Sequence, residues 1–311
     1  MRITHGFHPL KQPHAVTIGN FDGLHVGHQA MLARLQQLAR ERALPSCVLS
    51  FEPHPREFFS PENAPARLSS LREKAGWLDQ LGIDRLHVFR FNRAFAAFTA
   101  PEFIQRILVY TLQARYVLVG DDFRYGAQRA GDFSLLVESG HAAGFDAEAL
   151  STVALDGERA SSTAVRAALA AGDLAQAARL LGRPYSICGR VMHGDKLGRE
   201  LGYPTANVQI QHNRPPLSGI FAVTVSNING HDLPGVASLG VRPTMKAAGA
   251  APVLEVHLFN FDEQLYGRRV RVNFLHKLRD EAKFPDLPSL VAQIGRDVDE
   301  AKQFLKQQPH G

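Results

Sequence analysis

Two different hydrophobic patterns divide the 311-residue chain. Up to about residue 184, short apolar runs alternate with segments whose apolar residues recur at helical spacing. The predicted strands span residues 14–18, 47–51, 85–91, 116–119 and 148–154, and the predicted helices span 27–42, 70–81, 101–112 and 133–143. This alternation predicts an α/β fold with a doubly wound parallel sheet, in which ligands bind beyond the carboxyl ends of the strands.

The second pattern consists of short strands separated by glycine and proline turns. Predicted strands span residues 185–191, 205–210, 220–225, 236–239, 253–259 and 270–274, and a helix over 288–307 ends the pattern. An antiparallel β-barrel with a C-terminal helix is expected. The two patterns meet after a short helix that Asp173 caps and Gly182 ends, so we predict domains over residues 1–184 and 185–311.

Composition is that of an ordinary globular protein, with 45% apolar and 21% charged residues. No apolar run reaches the roughly 18 residues that span a bilayer, and the N-terminus lacks the apolar core of a signal peptide, so the cytoplasm is the expected location. Two cysteines, Cys47 and Cys188, are too few for a disulfide framework and are read as small buried hydrophobes. The net charge of +5 suits anionic ligands, whether nucleotides or nucleic acid.

Residues 16–32, VTIGNFDGLHVGHQAML, combine a strand, a glycine-rich turn and a helix start. The first N–H groups of a helix lack internal partners and carry partial positive charge, so such a junction binds phosphate. His25 and His28 share one face there and can donate hydrogen bonds to phosphate oxygens. The alternative interpretation is an ordinary helix start or a chance metal pair.

Three further clusters follow predicted strands of the first half. Pro53 and Pro55 fix the backbone around Glu52 and His54. This segment either holds the two side chains at the rim of a site or is simply a rigid loop. In the segment 119–132, VGDDFRYGAQRAGD, the glycines allow a ligand to approach the backbone closely, and the aromatic and arginine side chains can stack on it or bind its phosphates. The alternative is a flexible loop. Ser161-Ser162-Thr163 and Arg166 open a helix; a simple N-cap explains one hydroxyl but not three with an arginine.

In the second half, residues 189–198, GRVMHGDKLG, nearly spell a P-loop. Asp195 separates the glycine from the lysine and no Ser or Thr follows, so a Walker A motif is rejected, although the glycines permit a phosphate-wrapping loop. Thr205 and Asn207 lie two residues apart, on one face of a strand, and offer oxygen ligands that suit Mg²⁺; the alternative is a turn leading into a strand. If Glu255 faces into the barrel, burial of its carboxylate costs free energy and indicates a functional role. The alternative is a solvent-facing residue of an edge strand.

These motifs resemble those of one bacterial family. Residues 19–28 resemble the GxFDGxHxGH signature of the nucleotidylyltransferases, and SSTAVR resembles the SSTxxR motif of the flavin branch. GDDFRYG is similar to the GxDFxFG segment of FAD synthetases, with Tyr125 in place of Phe. GYPTAN, GVASLGVRPT, LEVH and LRDEAKF resemble riboflavin kinase segments, although Ser238 replaces the usual asparagine. The chain therefore resembles, over nearly its whole length, the bifunctional riboflavin kinase/FAD synthetases.

The resemblance implies ATP, riboflavin, FMN and FAD as substrates or products, Mg²⁺ as cofactor, and His25, His28 and Glu255 as catalytic residues. For adenylyl transfer it implies ATP binding by Gly19, Phe21, Asp22, Gly23, His25, His28, Ser162, Thr163 and Arg166. Flavin binding in that reaction is assigned to Asn20, Glu52, His54, Asp122, Phe123 and Tyr125. For the kinase it implies ATP binding by Gly189, Gly194, Lys196, Gly198, Pro204, Thr205 and Asn207, with Thr205 and Asn207 also as metal ligands. Flavin binding in the kinase is assigned to Arg279, Glu281 and Phe284.

Partners are expected to be small molecules, without nucleic acid or membrane, for a monomer or weak homo-oligomer. Two alternatives remain. One is an adenylyltransferase for another phosphorylated acceptor, with the barrel as a binding module. The other is a basic nucleic-acid-binding protein with an OB-like barrel, whose binding would fall steeply with salt, although the barrel lacks clustered basic and aromatic positions.

Overall fold

The computed structural model describes residues 1–155, 157–193, 198, 201–211, 214–228, 230–240 and 252–307. Its contacts divide the chain into two compact units. The first comprises residues 1–65 and 71–161, and the second comprises residues 66–70 and 162–311. Each unit is described by itself.

The first unit is built on a six-stranded parallel sheet. Its strands are β1 (Arg2–His5), β2 (His14–Ile18), β3 (Ser46–Glu52), β4 (Arg85–Arg90), β5 (Ala114–Gly120) and β6 (Asp146–Leu150), in the order β1-β4-β3-β2-β5-β6. All neighbours pair in parallel. The chain passes from β2 to one side of the sheet and later returns to place β5 on the other, so the strand order reverses beside β2, where doubly wound folds bind ligands.

Helices cover both faces of this sheet. They are α1 (Val26–Glu41), α2 (Pro55–Phe59), α3 (Leu71–Gln80), α4 (Arg93–Ala96), α5 (Ala100–Glu102) and α6 (Phe133–Ala143). Within β5, Leu118 packs in a core with residues of α1 and α3, whereas Val117 and Val119 pack in a second core with residues of α6. Alternate residues of one strand thus enter opposite cores, which confirms the doubly wound fold.

Three features of the first unit differ from the sequence prediction. The short edge strand β1 was not predicted, because four residues with little burial give no clear period. The strand predicted over 148–154 ends at Leu150, and the short pair β7 (Ala154–Leu155) and β8 (Glu158–Arg159) follows. After α5 the helix continues over Phe103–Thr111 as a π-helix, with the wider bond from Leu112 N to Ile107 O at 2.9 Å.

The second unit contains a closed antiparallel barrel. Its strands are β9 (Tyr185–Met192), β10 (Ala206–Gln209), β11 (Gly219–Ile228), β12 (His231–Gly240), β13 (Val253–Leu258) and β14 (Arg269–Arg279), closed in the order β10-β13-β12-β11-β14-β9. The predicted barrel is therefore confirmed.

Helix α9 (Leu287–Lys306) packs against the outside of the barrel. Ala222 and Val236 of the barrel wall share a core with Val298 and Ala301 of the helix. Pro288 lies in its first turn, as predicted, and Asp286 caps it. Within the described ranges, no helix combines the length and apolarity needed to cross a membrane.

Helices α7 (Ser162–Ala171) and α8 (Leu174–Leu181) belong to the same compact unit as the barrel. Asp173 caps α8 and Gly182 ends it in a left-handed conformation, as the sequence predicted. The domain boundary predicted at residue 184 stays a prediction. Cys47 is buried, and burial raises its pKa to about 12, whereas Cys188 is only half-buried, contrary to expectation.

Two buried histidines link segments of the first unit that are distant in sequence. His14 Nε2 accepts from Arg85 Nε at 3.0 Å, and its Nδ1 lies 3.2 Å from the Leu112 carbonyl. His87 lies between Thr4 Oγ1 and the Gly6 carbonyl, both at 2.9 Å. Burial lowers the pKa of each ring to about 4, so both are neutral near pH 7.

We expect the first unit to lose stability as the pH falls from about 6.5 towards 4. In that window the unfolded chain binds protons on these histidines and the folded chain does not, which costs roughly 2 kcal/mol per histidine between pH 7.5 and 5.0. Urea unfolding at both pH values, followed by the fluorescence of the single tryptophan Trp77, measures this loss. A His87→Gln variant should lose less stability between the two pH values than the parent chain; an equal loss would contradict the assignment.

Candidate active sites

A cavity of about 1050 Å³ opens at the carboxyl edge of the parallel sheet. The segments that follow three strands line it, with Gly19, Asn20 and Phe21 after β2, His54 after β3, and Asp122 after β5. Because β2 and β5 flank the point where the strand order reverses, the cavity lies where this fold is expected to bind a ligand.

The two histidines of the first motif stack at the start of α1. His25 is the N-cap residue, and its Nδ1 accepts a hydrogen bond from the backbone N–H of His28 at 3.4 Å. The ring centroids lie 3.7 Å apart at 24°. A Cβ on Gly27 would lie 3.1 Å from His25 Nδ1, so a glycine leaves room for this stacking. Of the pair, His28 lines the cavity.

The environment of His28 keeps its ring neutral. Burial, followed by the positive charges of His25 and Lys74, lowers the pKa of His28 well below its ordinary value. Its Nδ1 is buried and makes no hydrogen bond within the part of the chain that the structure describes. Lys74, which sequence reasoning missed, is itself buried, and its Nζ donates to Ser50 Oγ at 3.1 Å. A buried cation therefore lies near the histidine pair, where it favours an anionic ligand.

Aromatic rings form much of the remaining cavity wall. Phe123 and Tyr125 stack with centroids 5.5 Å apart at 16°, and both line the cavity as predicted. The other phenylalanines of the wall were not predicted; they are Phe51, Phe59, Phe91, Phe95, Phe98 and Phe103. Such a wall suits a flat aromatic ligand.

Other predicted residues of the first unit have local partners or lie behind the wall. His54 caps α2 by accepting from Arg56 N at 3.1 Å, and still lines the cavity. Asp122 accepts from Arg159 Nη2 at 2.7 Å at the rim. Glu52, Asp22 and Gly23 are not part of the described cavity wall; the side chain of Asp22 is buried in the turn before α1.

The hydroxyl cluster begins α7, as predicted, in the second compact unit. Ser162 is the first residue of the helix, and Thr163 is exposed. Arg166 lies one turn later and donates from Nε to the Ala66 carbonyl at 2.6 Å. The prediction that this cluster and the two histidines hold the same triphosphate stays a prediction.

A second cavity, of about 530 Å³, lies between the outer wall of the barrel and α9. Strand pairing places its polar residues in one row across the sheet. Asn207 lies opposite Glu255, and Glu255 lies opposite Ser238. Ser238 in turn lies opposite Ile220, and Ile220 opposite Arg279. Directly opposed residues point to the same face, so all five side chains line this cavity.

Glu255 faces outward from the barrel, so the expectation of an acid that faces into it is wrong. Alternate residues Leu254, Val256 and Leu258 are buried, whereas Glu255 is on the face that carries Val236, which packs against α9. β13 pairs on both sides, so Glu255 is not on an edge strand either. The row around it makes Glu255 a wall residue of a sheltered cavity.

At one end of the row, Arg279 forms an ion pair with the buried acid Asp297, which the sequence did not reveal. Its Nε and Nη2 donate to Asp297 Oδ1 and Oδ2 at 2.9 and 2.7 Å. Phe284 lies under the guanidinium, with the carbon 5.7 Å from the ring centroid. Partial burial raises the pKa of Glu281, against the effect of the Arg279 charge. Arg279, Glu281 and Phe284 line this one cavity, and their predicted contact with the flavin stays a prediction.

Thr205 and Asn207 line the opposite end of this cavity with Gly198. A hydroxyl and an amide oxygen beside the carboxylate of Glu255 are a donor set that suits Mg²⁺, with nucleotide phosphates as further ligands. Within the described part of the chain, no three His, Cys, Asp or Glu side chains converge on a metal site.

Two of the remaining predicted kinase residues, Gly189 and Pro204, do not line the described cavity. Gly189 lies inside β9, where a Cβ would overlap the Gln209 carbonyl of β10, so its structural role is close strand approach. The Pro204 carbonyl lies 2.9 Å from His257 Nδ1. Gly194 and Lys196 lie outside the described residues.

Comparison with known proteins assigns a family to each half of the chain. The model of the FAD synthetase family matches residues 8–164, and the model of the riboflavin kinase family matches residues 181–305. The two matches are in the order that the motifs predicted.

Similar proteins cover the whole chain. The bifunctional riboflavin kinase/FMN adenylyltransferase of Pseudomonas fluorescens is 50% identical over 100% of both chains, and that of Escherichia coli K12 is 48% identical over 98% of both. A crystal structure described as a macrolide-efflux protein from Streptococcus pneumoniae is 27% identical, with a TM-score of 0.82 over 97% of this chain and 98% of that one. The chain therefore belongs to the family of bifunctional riboflavin kinase/FMN adenylyltransferases.

Proposed function

We propose that the two cavities catalyse successive steps of flavin cofactor synthesis. The barrel unit phosphorylates riboflavin with ATP to give FMN, and the parallel-sheet unit joins FMN to AMP from a second ATP, giving FAD and pyrophosphate. The observation that carries this proposal is that several motif residues of each family line a separate cavity. One cavity has an aromatic wall and a histidine pair, and the other has a carboxylate in a polar row.

In adenylyl transfer, a phosphate oxygen of FMN attacks the α-phosphorus of ATP, and the bond to the bridging oxygen of pyrophosphate breaks. His28 and His25 are proposed to donate hydrogen bonds to the phosphate oxygens, on which negative charge develops. His25 Nδ1 accepts a backbone hydrogen bond, so a neutral His25 carries its hydrogen on Nε2. The positive charge of Lys74, which acts on His28, is proposed to stabilise the negative charge on the same oxygens.

Substrate binding for adenylyl transfer is proposed to be divided between polar and aromatic groups. We assign the flavin ring to the aromatic wall, with Asn20, His54 and Asp122 at its polar edge and Glu52 at the rim. Gly19, Phe21, Asp22 and Gly23 form the turn beside the ATP phosphates. Ser162, Thr163 and Arg166 are proposed to complete triphosphate binding through their hydroxyls and guanidinium.

In the kinase reaction, the riboflavin 5′-hydroxyl attacks the γ-phosphorus of ATP and ADP leaves. Glu255 is proposed to take the hydroxyl proton, because it is the carboxylate in the middle of the polar row. Thr205 and Asn207 would hold Mg²⁺, which neutralises charge on the transferred phosphoryl group. Gly198 and the glycine-rich segment with Gly194 and Lys196 are proposed to border the ATP. Arg279, Glu281 and Phe284 border the flavin.

Several finer expectations stand as part of this proposal. They are Mg²⁺ as the metal, a cytoplasmic location, a monomer or weak homo-oligomer, and no binding of nucleic acid.

A time course with riboflavin and Mg-ATP tests the proposal, with the flavins separated by chromatography. FMN should appear first and FAD should follow. FMN without FAD would favour another phosphorylated acceptor for the first unit. No turnover of either flavin, together with salt-sensitive binding of nucleic acid, would favour the nucleic-acid-binding alternative.

Replacing Glu255 with Gln should lower kinase kcat by about 10²–10⁴-fold, because no group then accepts the hydroxyl proton. Conversion of supplied FMN to FAD should be unchanged. Glu300→Gln, an equal change on an exposed position of α9, is the matched control. Full kinase activity of the Glu255 variant would show that the base is another group.

Replacing His28 with Ala should have the opposite effect. Adenylylation of FMN should fall by about 10²–10³-fold, because a donor to the charged oxygens is lost. Phosphorylation of riboflavin should persist, and FMN should accumulate. His141→Ala, at an exposed position of α6, serves as the control. If the His28 variant loses kinase activity while it remains folded, the two sites are not separate.

A further inference from the structure

Asp297 of α9 is a buried acid that the proposed reaction does not yet use. It is 3% exposed, and it lines the second cavity. Both of its oxygens accept hydrogen bonds from Arg279, in the parallel two-bond geometry that fixes the plane of a guanidinium. Gln293 Nε2 adds a third bond, to Oδ1 at 2.9 Å.

The remaining contacts of Arg279 fix its orientation further. Nη1 donates to the Asp280 carbonyl at 2.9 Å, and the guanidinium lies over Phe284. The backbone of Arg279 is opposite Ile220, so the side chain lies at the end of the row that begins at Asn207. Its position and its plane are therefore set by two different elements, strand β14 and helix α9.

Burying the carboxylate of Asp297 costs free energy, which suggests that its ion pair with Arg279 has a function other than stability. A buried carboxylate must be compensated by its partner and by hydrogen bonds, and a well-packed apolar pair at the same place is often as stable. Stability alone does not require an ion pair between β14 and α9, since Val298 and Ala301 already pack α9 on the barrel. An oriented cation at the cavity wall is what the pair adds.

We propose that Asp297 is a positioning residue of the kinase site, which holds the Arg279 guanidinium in the plane that, with Phe284, forms the binding wall for the riboflavin ring. This inference rests on the proposed kinase function and extends it to α9. Asp297 acts through Arg279, at the end of the cavity away from Thr205 and Asn207. Its loss should therefore affect riboflavin more than ATP.

The test compares Asp297→Asn with Asp299→Asn in the full chain. Asp299 lies on the same helix but is exposed, so the chemical change is equal and only the pairing differs. Initial rates are measured against riboflavin at saturating ATP and against ATP at saturating riboflavin. Adenylylation of supplied FMN in the same preparations checks the first unit, and thermal unfolding checks the fold.

We expect Asp297→Asn to raise the KM for riboflavin by about tenfold or more, with the KM for ATP changed by less than about twofold. Asp299→Asn should match the parent chain. A merely structural role predicts a lower apparent kcat and a lower Tm, with the KM for riboflavin unchanged, and this result would overturn the inference. If the parent chain does not phosphorylate riboflavin, the proposed function itself fails, which is a separate outcome.

A milder variant decides the question if Asp297→Asn does not fold. Gln293→Leu removes one hydrogen bond from Asp297 and keeps the ion pair. It should raise the KM for riboflavin by about threefold and leave the KM for ATP unchanged, consistent with a loss of about 0.5–1.5 kcal/mol. An unchanged KM for riboflavin in this folded variant contradicts the positioning role.

Discussion

Side chains alternate between the two faces of every β-strand, and both cavities depend on this constraint. In the parallel sheet, alternate residues such as Val117 and Leu118 enter opposite cores, so both faces are covered by helices. Because both faces are covered, the accessible cavity lies at the edge of the sheet, where the loops after β2, β3 and β5 line it. In the barrel, one set of residues fills the interior, and the other set forms an outer row that α9 covers.

Burial of charge gives each cavity its chemical character. Lys74 is buried in the first unit and acts on His28, whose pKa it helps to lower. Asp297 is buried in the second unit and holds Arg279. In both cases a buried charged group acts on a residue that lines the cavity, so that residue gains a fixed charge state or a fixed orientation. These supporting groups convert flexible side chains into preorganised ones.

The two cavities also differ in shape and lining in a way that fits two reactions on related substrates. The first is about twice as large as the second and has a wall of phenylalanines. Its volume suits the two large substrates that we propose for it, ATP and FMN. The second is smaller and ends in polar residues at one side and in Arg279 and Phe284 at the other. This division fits a nucleotide at one end and a flavin at the other.

The sequence by itself determined the alternation of the main strands and helices, the two kinds of sheet, the two ends of α8, the proline in the first turn of α9, and the turn that carries His25 and His28. Each of these follows from local periodicity or from the conformational preferences of glycine, proline and capping residues, which are properties of neighbouring positions. The tertiary structure alone decided that Glu255 faces outward, because strand pairing and the packing of α9 select the face. Only the tertiary structure brings the phenylalanines of residues 91–103 to one wall. It also pairs Asp297 with Arg279 and brings Lys74 near enough to lower the pKa of His28. Those pairs are formed by residues distant in sequence, and no local pattern records which distant residue a side chain will meet.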